Sequence, residues 1–113
     1  MDCINEMANV AYYEARGSED NMRAVVHVII NRAKERHLST CKIIRERNQF
    51  AIKGGKIKER DRWLIAKTIV LNPGKDITRG ATFFHNLSVR PYWSYKLKVT
   101  FRTGGHIFYA RKN

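Results

Sequence analysis

The stretch INEMANVAYYEARGSEDNMRAVVHVIINRA, residues 4–33, places apolar side chains at helical spacing on both sides of a polar corner. One apolar stripe begins at Ile4 and continues to Ala11, and a longer one runs from Met22 to Ala33. Between the stripes, Gly17 can adopt the left-handed conformation that ends many helices, and Ser18 is a favourable N-cap for the next helix. This stretch therefore predicts two helices joined by a tight corner.

Further along the chain the same criteria predict more helix. A short helix is expected over residues 40–47, followed by a turn at Gly54-Gly55. A third long helix is predicted over residues 59–71, because apolar residues again recur at helical spacing and Asn72-Pro73-Gly74 ends the pattern.

The sequence becomes rich in β-branched and aromatic residues after Gly80. Strands are predicted over residues 81–85, 96–101 and 106–109, and Thr103-Gly104-Gly105 between the last two indicates a hairpin turn. We therefore predict an α+β fold, mainly α, with a small C-terminal antiparallel β element and one domain over residues 1–113.

The charge of the chain indicates an anionic partner. There are 22 Lys and Arg residues against 10 Asp and Glu residues, which gives a net charge of +12. Five of the acids lie in residues 1–20, whereas residues 77–113 hold seven bases and no acid. Nucleic acid, a lipid surface and an anionic envelope polymer all fit this balance, and a catalytic carboxylate is most reasonably sought near the N-terminus.

Other sequence features set expectations about cofactors and location. Cys3 and Cys41 are too few for a disulfide framework, and we predict free thiols. The four histidines lack metal-ligand spacing, so neither a metal nor another cofactor is expected. The first residues lack the regions of a secretory signal, and the longest apolar stretch, residues 24–30, is too short to span a membrane. We expect a monomer that is made in the cytoplasm.

Glu14 is the candidate catalytic residue. It follows Val10 and Ala11 on the apolar stripe of the first helix, so its carboxyl group is expected to be partly desolvated. Desolvation favours the protonated form that a general acid needs. The structural alternative is a carboxylate at the edge of the core, paired with Arg23 or Arg32.

Two further features need interpretation. Glu19 and Asp20 are explained by the first turn of the second helix, where the helix dipole favours acids. The aromatic cluster at residues 92–95 is flanked by Arg90 and Lys96, and exposed rings there suit either sugar stacking or base stacking.

Five segments follow one another in a specific order: Tyr13-Glu14-Ala15-Arg16-Gly17, Ala24 to Arg32, Gln49-Phe50-Ala51, Gly80 to Asn86 and His106-Ile107-Phe108-Tyr109. In this order they resemble the SleB-type cell wall hydrolases, which include spore cortex-lytic enzymes and phage endolysins. The resemblance covers residues 7–109.

This resemblance implies a lysozyme-like domain that cleaves the bond between N-acetylmuramic acid and N-acetylglucosamine in peptidoglycan. It makes Glu14 the catalytic acid. The residues implied to border the glycan cleft are Gln49, Phe50, Phe84, Asn86, His106 and Tyr109.

The number of candidate catalytic carboxyl groups predicts the type of reaction. A hydrolytic glycosidase ordinarily uses two carboxyl groups, and no convincing second one accompanies Glu14 in the sequence. We therefore expect a lytic transglycosylase with a single general acid and base, most simply a phage endolysin that waits in the host cytoplasm until it reaches the wall. The alternatives are a hydrolytic muramidase and a basic nucleic-acid-binding protein. Peptidoglycan is the expected partner, with electrostatic contact to the anionic envelope and no specific nucleic acid.

Overall fold

The computed structural model describes residues 3–46 and 56–112, which form four α-helices and three strands. The helices are α1 (Ile4–Ala15), α2 (Glu19–Arg36), α3 (Thr40–Ile44) and α4 (Arg60–Leu71). The strands are β1 (Phe83–Asn86), β2 (Leu97–Thr103) and β3 (His106–Arg111), and a 3₁₀ helix, Tyr92–Lys96, precedes β2. The prediction of an α+β, mainly helical fold is confirmed. No helix in the described ranges is both long and apolar enough to cross a bilayer.

The sheet is antiparallel, with strand order β1-β3-β2. Asn86 at the end of β1 pairs with His106 at the start of β3, and His106 pairs with Thr103 at the end of β2. The predicted hairpin at Gly104-Gly105 is therefore confirmed. Because side chains alternate along a strand, the row of His106 and Phe108 faces the helices while the row of Tyr109 faces away from them.

The core lies between α1, α2 and α4 and extends to one face of the sheet. Its largest fully buried side chains come from both predicted apolar stripes, α3, α4 and β3: Tyr12, Phe108, Met7, Met22, Ile29, Ile43, Ile44, Val10, Val25, Val26, Val28 and Val70. Burying an apolar side chain of this size contributes about 1.5–3 kcal/mol. The helical stripes read from the sequence are thus the surfaces that hold the helices together.

The corner between α1 and α2 agrees with the prediction at Ser18 and differs from it at Gly17. Ser18 is the N-cap of α2, and its hydroxyl accepts a hydrogen bond from the backbone N–H of Asn21, as expected. The left-handed cap predicted at Gly17 is wrong, because Gly17 is not among the glycines with positive φ and α1 ends in right-handed geometry at Arg16. The corner is formed by right-handed geometry at Arg16, a hydrogen bond from the Ser18 N–H to the Ala15 carbonyl and the Ser18 cap.

The prediction of two free thiols is also wrong. Cys3 and Cys41 form a disulfide bond with a Cα–Cα distance of 5.6 Å across a sequence separation of 38 residues. The packing of α3 against α1 brings the two cysteines together, and neither the spacing nor the number of cysteines in the sequence revealed this pairing. The bond ties the start of α1, whose last turn carries Glu14, to α3.

Asp76 organises the turn that leads from α4 to the sheet. Its carboxylate accepts hydrogen bonds from the backbone and hydroxyl of Thr78, from the backbone N–H of Gly80 and from the side chain of Asn31 on α2. Burial alone would raise the pKa of Asp76, but these hydrogen bonds outweigh burial, and the pKa lies below its usual value. A carboxyl with a depressed pKa stabilises the fold above its unfolded pKa, about 3.9, and this contribution is lost as the pH falls through the folded value.

We expect Asp76→Asn to lower the free energy of unfolding by about 1–3 kcal/mol at neutral pH, because an amide replaces one accepting oxygen with a donor. The difference between the variant and the wild type should shrink as the pH is lowered from about 5 to about 2, where wild-type Asp76 becomes protonated. Urea unfolding at each pH measures this difference. Asp61→Asn, at an exposed carboxylate, is the matched control. An Asp76→Asn effect that does not change with pH would contradict the assignment.

Candidate active site

A groove of about 500 Å³ opens between the corner of α1 and α2 and the ends of the sheet. It is lined by Glu14 from α1, Asn21 from α2, Asn86 from β1, and the Gly104-Gly105 turn with His106. Its volume lies within the range of about 300–1,000 Å³ that is usual for ligand sites. The fold thus brings segments more than 80 residues apart in sequence to the candidate catalytic residue.

Glu14 lies in the last turn of α1 and is partly buried, as its place on the apolar stripe predicts. The start of α4 holds this turn in place. The hydroxyl of Tyr12 accepts a hydrogen bond from the backbone N–H of Glu59 at 3.0 Å, and the Arg62 Nε donates to the carbonyl of Arg16 at 2.8 Å. Residues on both sides of Glu14 are therefore fixed to a second helix.

Arg16 brings positive charge to the wall of the groove. Its guanidinium lies 5.0 Å from the centre of the Tyr12 ring and pairs with the Glu59 carboxylate at 3.0 Å. Both partners leave part of the Arg16 side chain exposed to solvent. A carboxylate carried by a substrate would therefore find a cation beside Glu14.

The arginines considered as structural partners of Glu14 lie elsewhere. Arg32 is buried, and its Nε donates to the backbone carbonyl of Thr82. Arg23 lines a separate groove together with Leu64 and residues near the end of α4. Among the described residues, neither arginine lines the groove that contains Glu14.

Glu14 is the one carboxylate among the described residues that line this groove. Four other glutamates form ion pairs with arginines: Glu6 with Arg45, Glu35 with Arg111, Glu46 with Arg36 and Glu59 with Arg16. Glu19, Asp20 and Asp61 occupy the first turns of α2 and α4, as the dipole argument predicts for the first two. No group of three or more His, Cys, Asp or Glu residues suited to a metal ion occurs in residues 3–46 and 56–112.

His106 lies at the base of the groove and is 5% exposed. Its Nδ1 is 2.9 Å from the side-chain Nδ2 of Asn21. Burial, followed by the charge of nearby His85, lowers the pKa of His106 below its usual value. The ring is therefore neutral at neutral pH.

Two residues predicted to border the cleft, Asn86 and His106, do line the groove. Phe84 instead packs edge-on against the His106 ring, with ring centres 5.2 Å apart, and stacks on Phe108 in the core. It therefore supports the groove from the side of the core.

A third predicted residue, Tyr109, does not line the groove. Tyr109 is on the opposite face of the sheet, where its hydroxyl is 2.8 Å from the Nε2 of His85. Gln49 and Phe50 lie outside the described residues.

Sequence reasoning missed Asn21 and the contribution of the hairpin turn. The sequence predicts Ser18 as a cap. A single sequence does not show that the side chain of Asn21, three residues later, contacts His106, the first residue of β3. Gly104 was recognised as a turn residue, and its position against Asn21 depends on how the sheet packs on α2.

Residues 16–109 match the cell wall hydrolase family. The chain belongs to this family. The match begins two residues after Glu14, and two solved structures extend the comparison to 95% of the chain. One is the catalytic domain of the Bacillus cereus SleB protein, with 27% sequence identity, a TM-score of 0.78 and 88% of that chain covered. The other is the catalytic domain of the germination-specific lytic transglycosylase SleB from Bacillus anthracis, with the same identity and TM-score and 93% of that chain covered.

No curated protein matches the chain in sequence. The family nevertheless defines the general activity, because the cell wall hydrolases degrade peptidoglycan and the folds agree over nearly the whole chain. The chain is thus an enzyme of peptidoglycan degradation. Membership of this family favours an enzyme over the nucleic-acid-binding alternative.

Proposed function

We propose that this cell wall hydrolase is a lytic transglycosylase that cleaves the bond between N-acetylmuramic acid and N-acetylglucosamine, with Glu14 as both general acid and general base. The observation that carries this proposal is that Glu14 is the one carboxylate among the described residues that line the groove. Residues 47–55, which the structure does not describe, contain no Asp or Glu, and Asp2 is the one acidic side chain outside the described residues.

The number of carboxylates distinguishes the two reaction types. A retaining hydrolase needs a second carboxyl about 5–5.5 Å from the first, and an inverting hydrolase needs one about 6.5–9.5 Å away to activate water. The other described acids have other roles: four glutamates pair with arginines, three acids lie in the first turns of helices, and Asp76 holds the turn before the sheet. A route in which one residue acts twice fits the groove better.

In this route Glu14 first donates its proton to the oxygen that bridges the two sugars. The bond from that oxygen to C1 of N-acetylmuramic acid breaks, and the acetamido oxygen of the same sugar bonds to C1. The Glu14 carboxylate then takes the proton from the C6 hydroxyl of this sugar. The C6 oxygen attacks C1 and displaces the acetamido oxygen, so the product has a 1,6-anhydro ring and no water is consumed.

The groove supports both states of Glu14. Buried neighbours such as Val10 and Ala11 favour the neutral acid before the first step. The N-terminus of α2, which contributes Ser18 and Asn21 to the wall, carries a partial positive charge that favours the carboxylate after the first step. Sugar contacts by Asn86 and His106 are part of this proposal, and their position in the groove wall supports it.

The charge distribution fits a polyanionic wall. The described residues 77–112 contain seven basic residues and no acid, and they include the strands that border the groove. Stem-peptide carboxylates and other anionic envelope polymers would be attracted to this half of the molecule. Contact with the envelope and a monomeric state stay predictions.

The products identify the reaction. We expect muropeptides released from purified peptidoglycan to carry 1,6-anhydro ends and to be about 18 Da lighter than their hydrolysed counterparts, because no water is added. Mass spectrometry of the digest measures this difference directly. A second digest in water enriched in oxygen-18 should leave the product masses unchanged.

A commercial muramidase digested in parallel is the control, since its products must take up the heavy oxygen. Reducing ends that carry heavy oxygen in the digest by this protein would instead establish a hydrolytic muramidase. That outcome would require a second carboxylate to reach the groove.

The role of an endolysin also belongs to this proposal. The Cys3–Cys41 bond favours a protein that works outside the reducing cytoplasm, because disulfides persist in oxidising compartments. Storage in the host cytoplasm would then keep the two thiols reduced, and the bond would form after release, when an external oxidant such as dioxygen takes up the two electrons and two protons. The thiol state before and after lysis tests this sequence of events.

A further inference from the structure

The contact between Asn21 and His106 determines where the imidazole proton lies. Asn21 is 6% exposed, and its side chain spans from the first turn of α2 to the first residue of β3. An amide nitrogen donates hydrogen bonds and does not accept them, so a 2.9 Å contact from Nδ2 to Nδ1 requires Nδ1 without a proton. A neutral ring then carries its proton on Nε2.

The Nε2 of His106 is available to a ligand. It makes no hydrogen bond with any described residue, and the residue itself forms part of the groove wall. In the described part of the chain, the buried polar side-chain atoms without a hydrogen-bond partner are the Oδ1 of Asn21 and the Oγ1 of Thr82. The Nε2 of His106 is not one of these buried atoms. The ring thus presents one neutral N–H donor to the groove of Glu14.

Packing holds this arrangement from two sides. The Phe84 ring lies edge-on to the imidazole on the side of the core. On the other side, Gly104 approaches Asn21 so closely that a Cβ at this glycine would be 3.1 Å from the Asn21 Nδ2. Gly104 also has a φ of +52°, so a side chain here would be both strained and crowded.

We propose that Asn21 is a positioning residue that holds His106 in the Nε2–H tautomer, so that Nε2 donates a hydrogen bond to the acetamido carbonyl of a bound N-acetyl sugar. This inference rests on the proposed function for its ligand. The acetamido group belongs to a sugar beside the reacting one, because the reacting sugar uses its own acetamido oxygen as the nucleophile. A neutral donor suits a neutral carbonyl better than a stem-peptide carboxylate, which the exposed Arg16 would attract instead.

Asn21→Asp reverses the polarity of the contact with almost no change of shape. A carboxylate only accepts, so a neutral imidazole beside it carries its proton on Nδ1, and Nε2 becomes an acceptor. We expect kcat/KM for peptidoglycan to fall roughly 10-fold to 100-fold, the size expected when a donor to the substrate is replaced by an acceptor. The measurement is made at a pH where the ring is neutral in both proteins, because the new carboxylate raises the pKa of His106 and a doubly protonated ring would still donate from Nε2. Glu14, Arg16 and His85 are the other charged or titratable groups around the ring.

Nitrogen-15 spectra of the His106 ring test the tautomer without any substrate. In the wild type we expect Nδ1 to give the signal of a bare nitrogen and Nε2 that of an N–H group, and the two to exchange places in Asn21→Asp. Chitotetraose should shift the Nε2 signal of the wild type, whereas cellotetraose, which has hydroxyls in place of acetamido groups, should not. A proton on Nδ1 in the wild type would overturn the proposal.

A pair of variants at His106 separates hydrogen bonding from packing. His106→Gln keeps an N–H donor and should retain most of the activity, whereas His106→Phe keeps the ring and should lose roughly as much as Asn21→Asp. His85→Gln, on the opposite face of the same sheet, is the matched control. Equal activities of the Gln and Phe variants would overturn the role of the donor. An inactive wild type with the expected tautomer would instead refute the proposed function and leave the role of Asn21 intact.

Discussion

Glu14→Gln is expected to abolish the release of muropeptides from purified peptidoglycan. Glutamine keeps the shape of the side chain and removes the proton that the bridging oxygen must receive. The same change removes the base that activates the C6 hydroxyl, so both chemical steps are affected. We expect a loss of roughly 1,000-fold or more, since a positioned acid or base contributes about 100-fold to 10,000-fold in each step. Turbidity of a peptidoglycan suspension measures the initial rate, and chromatography of the soluble fraction measures the products.

Glu19 provides a matched control for this experiment. Glu19 lies just across the corner from Glu14, is exposed, and is not among the residues that line the groove. Glu19→Gln removes the same charge and should leave the rate within about twofold of the wild type, because only a helix-dipole contact is weakened. Unfolding curves that superimpose would show that Glu14→Gln folds normally. Lysis by Glu14→Gln at the wild-type rate would refute the assignment of the catalytic acid.

The Cys3→Ser/Cys41→Ser variant is expected to lose about 4 kcal/mol of unfolding free energy. The disulfide closes a sequence separation of 38 residues, for which the chain-entropy account gives a stabilisation of this size. A small domain has only about 5–15 kcal/mol in total. The midpoint of thermal unfolding should therefore fall by roughly 15 °C. Urea unfolding and calorimetry of the oxidised protein and the variant measure the two quantities.

Reductant distinguishes loss of the bond from damage caused by the substitutions. The reduced wild type should match the double variant, and reductant should have no effect on the double variant itself. Thiol titration of the native oxidised protein should find no reactive cysteine. Two titratable thiols in the active protein, or a variant as stable as the wild type, would contradict a structural role for the bond.

Local patterns were sufficient for most of the secondary structure. The third long helix was predicted over residues 59–71 and is observed as Arg60–Leu71. The spacing of its apolar residues predicts the helix, and Asn72-Pro73-Gly74 predicts where it ends. The hairpin at Gly104 followed from two glycines between alternating strands. Gly17 failed as a left-handed cap, since a glycine permits that conformation without requiring it.

The site was predicted only in part. The partly buried position of Glu14 could be predicted because its place relative to Val10 and Ala11 on a helix is a local property. Asn86 and His106, which line the same groove, came from the family resemblance. Asn21 was missed because its partner is 85 residues away. Tyr109 was expected to border the glycan cleft, but alternation along β3 directs it to the face of the sheet opposite His106.

The amino-acid sequence by itself determined the helices, the strands, the basic half of the chain and a carboxylate at the edge of the apolar surface of α1. These features depend on the spacing of residue types over one or two turns, which a single sequence displays. Only the tertiary structure decided that Cys3 bonds to Cys41, that Asn21 reaches His106, and that one carboxylate serves the groove among the described residues. Each of these depends on the distance between segments far apart in the chain, and that distance is set by the packing of the helices on each other and on the sheet.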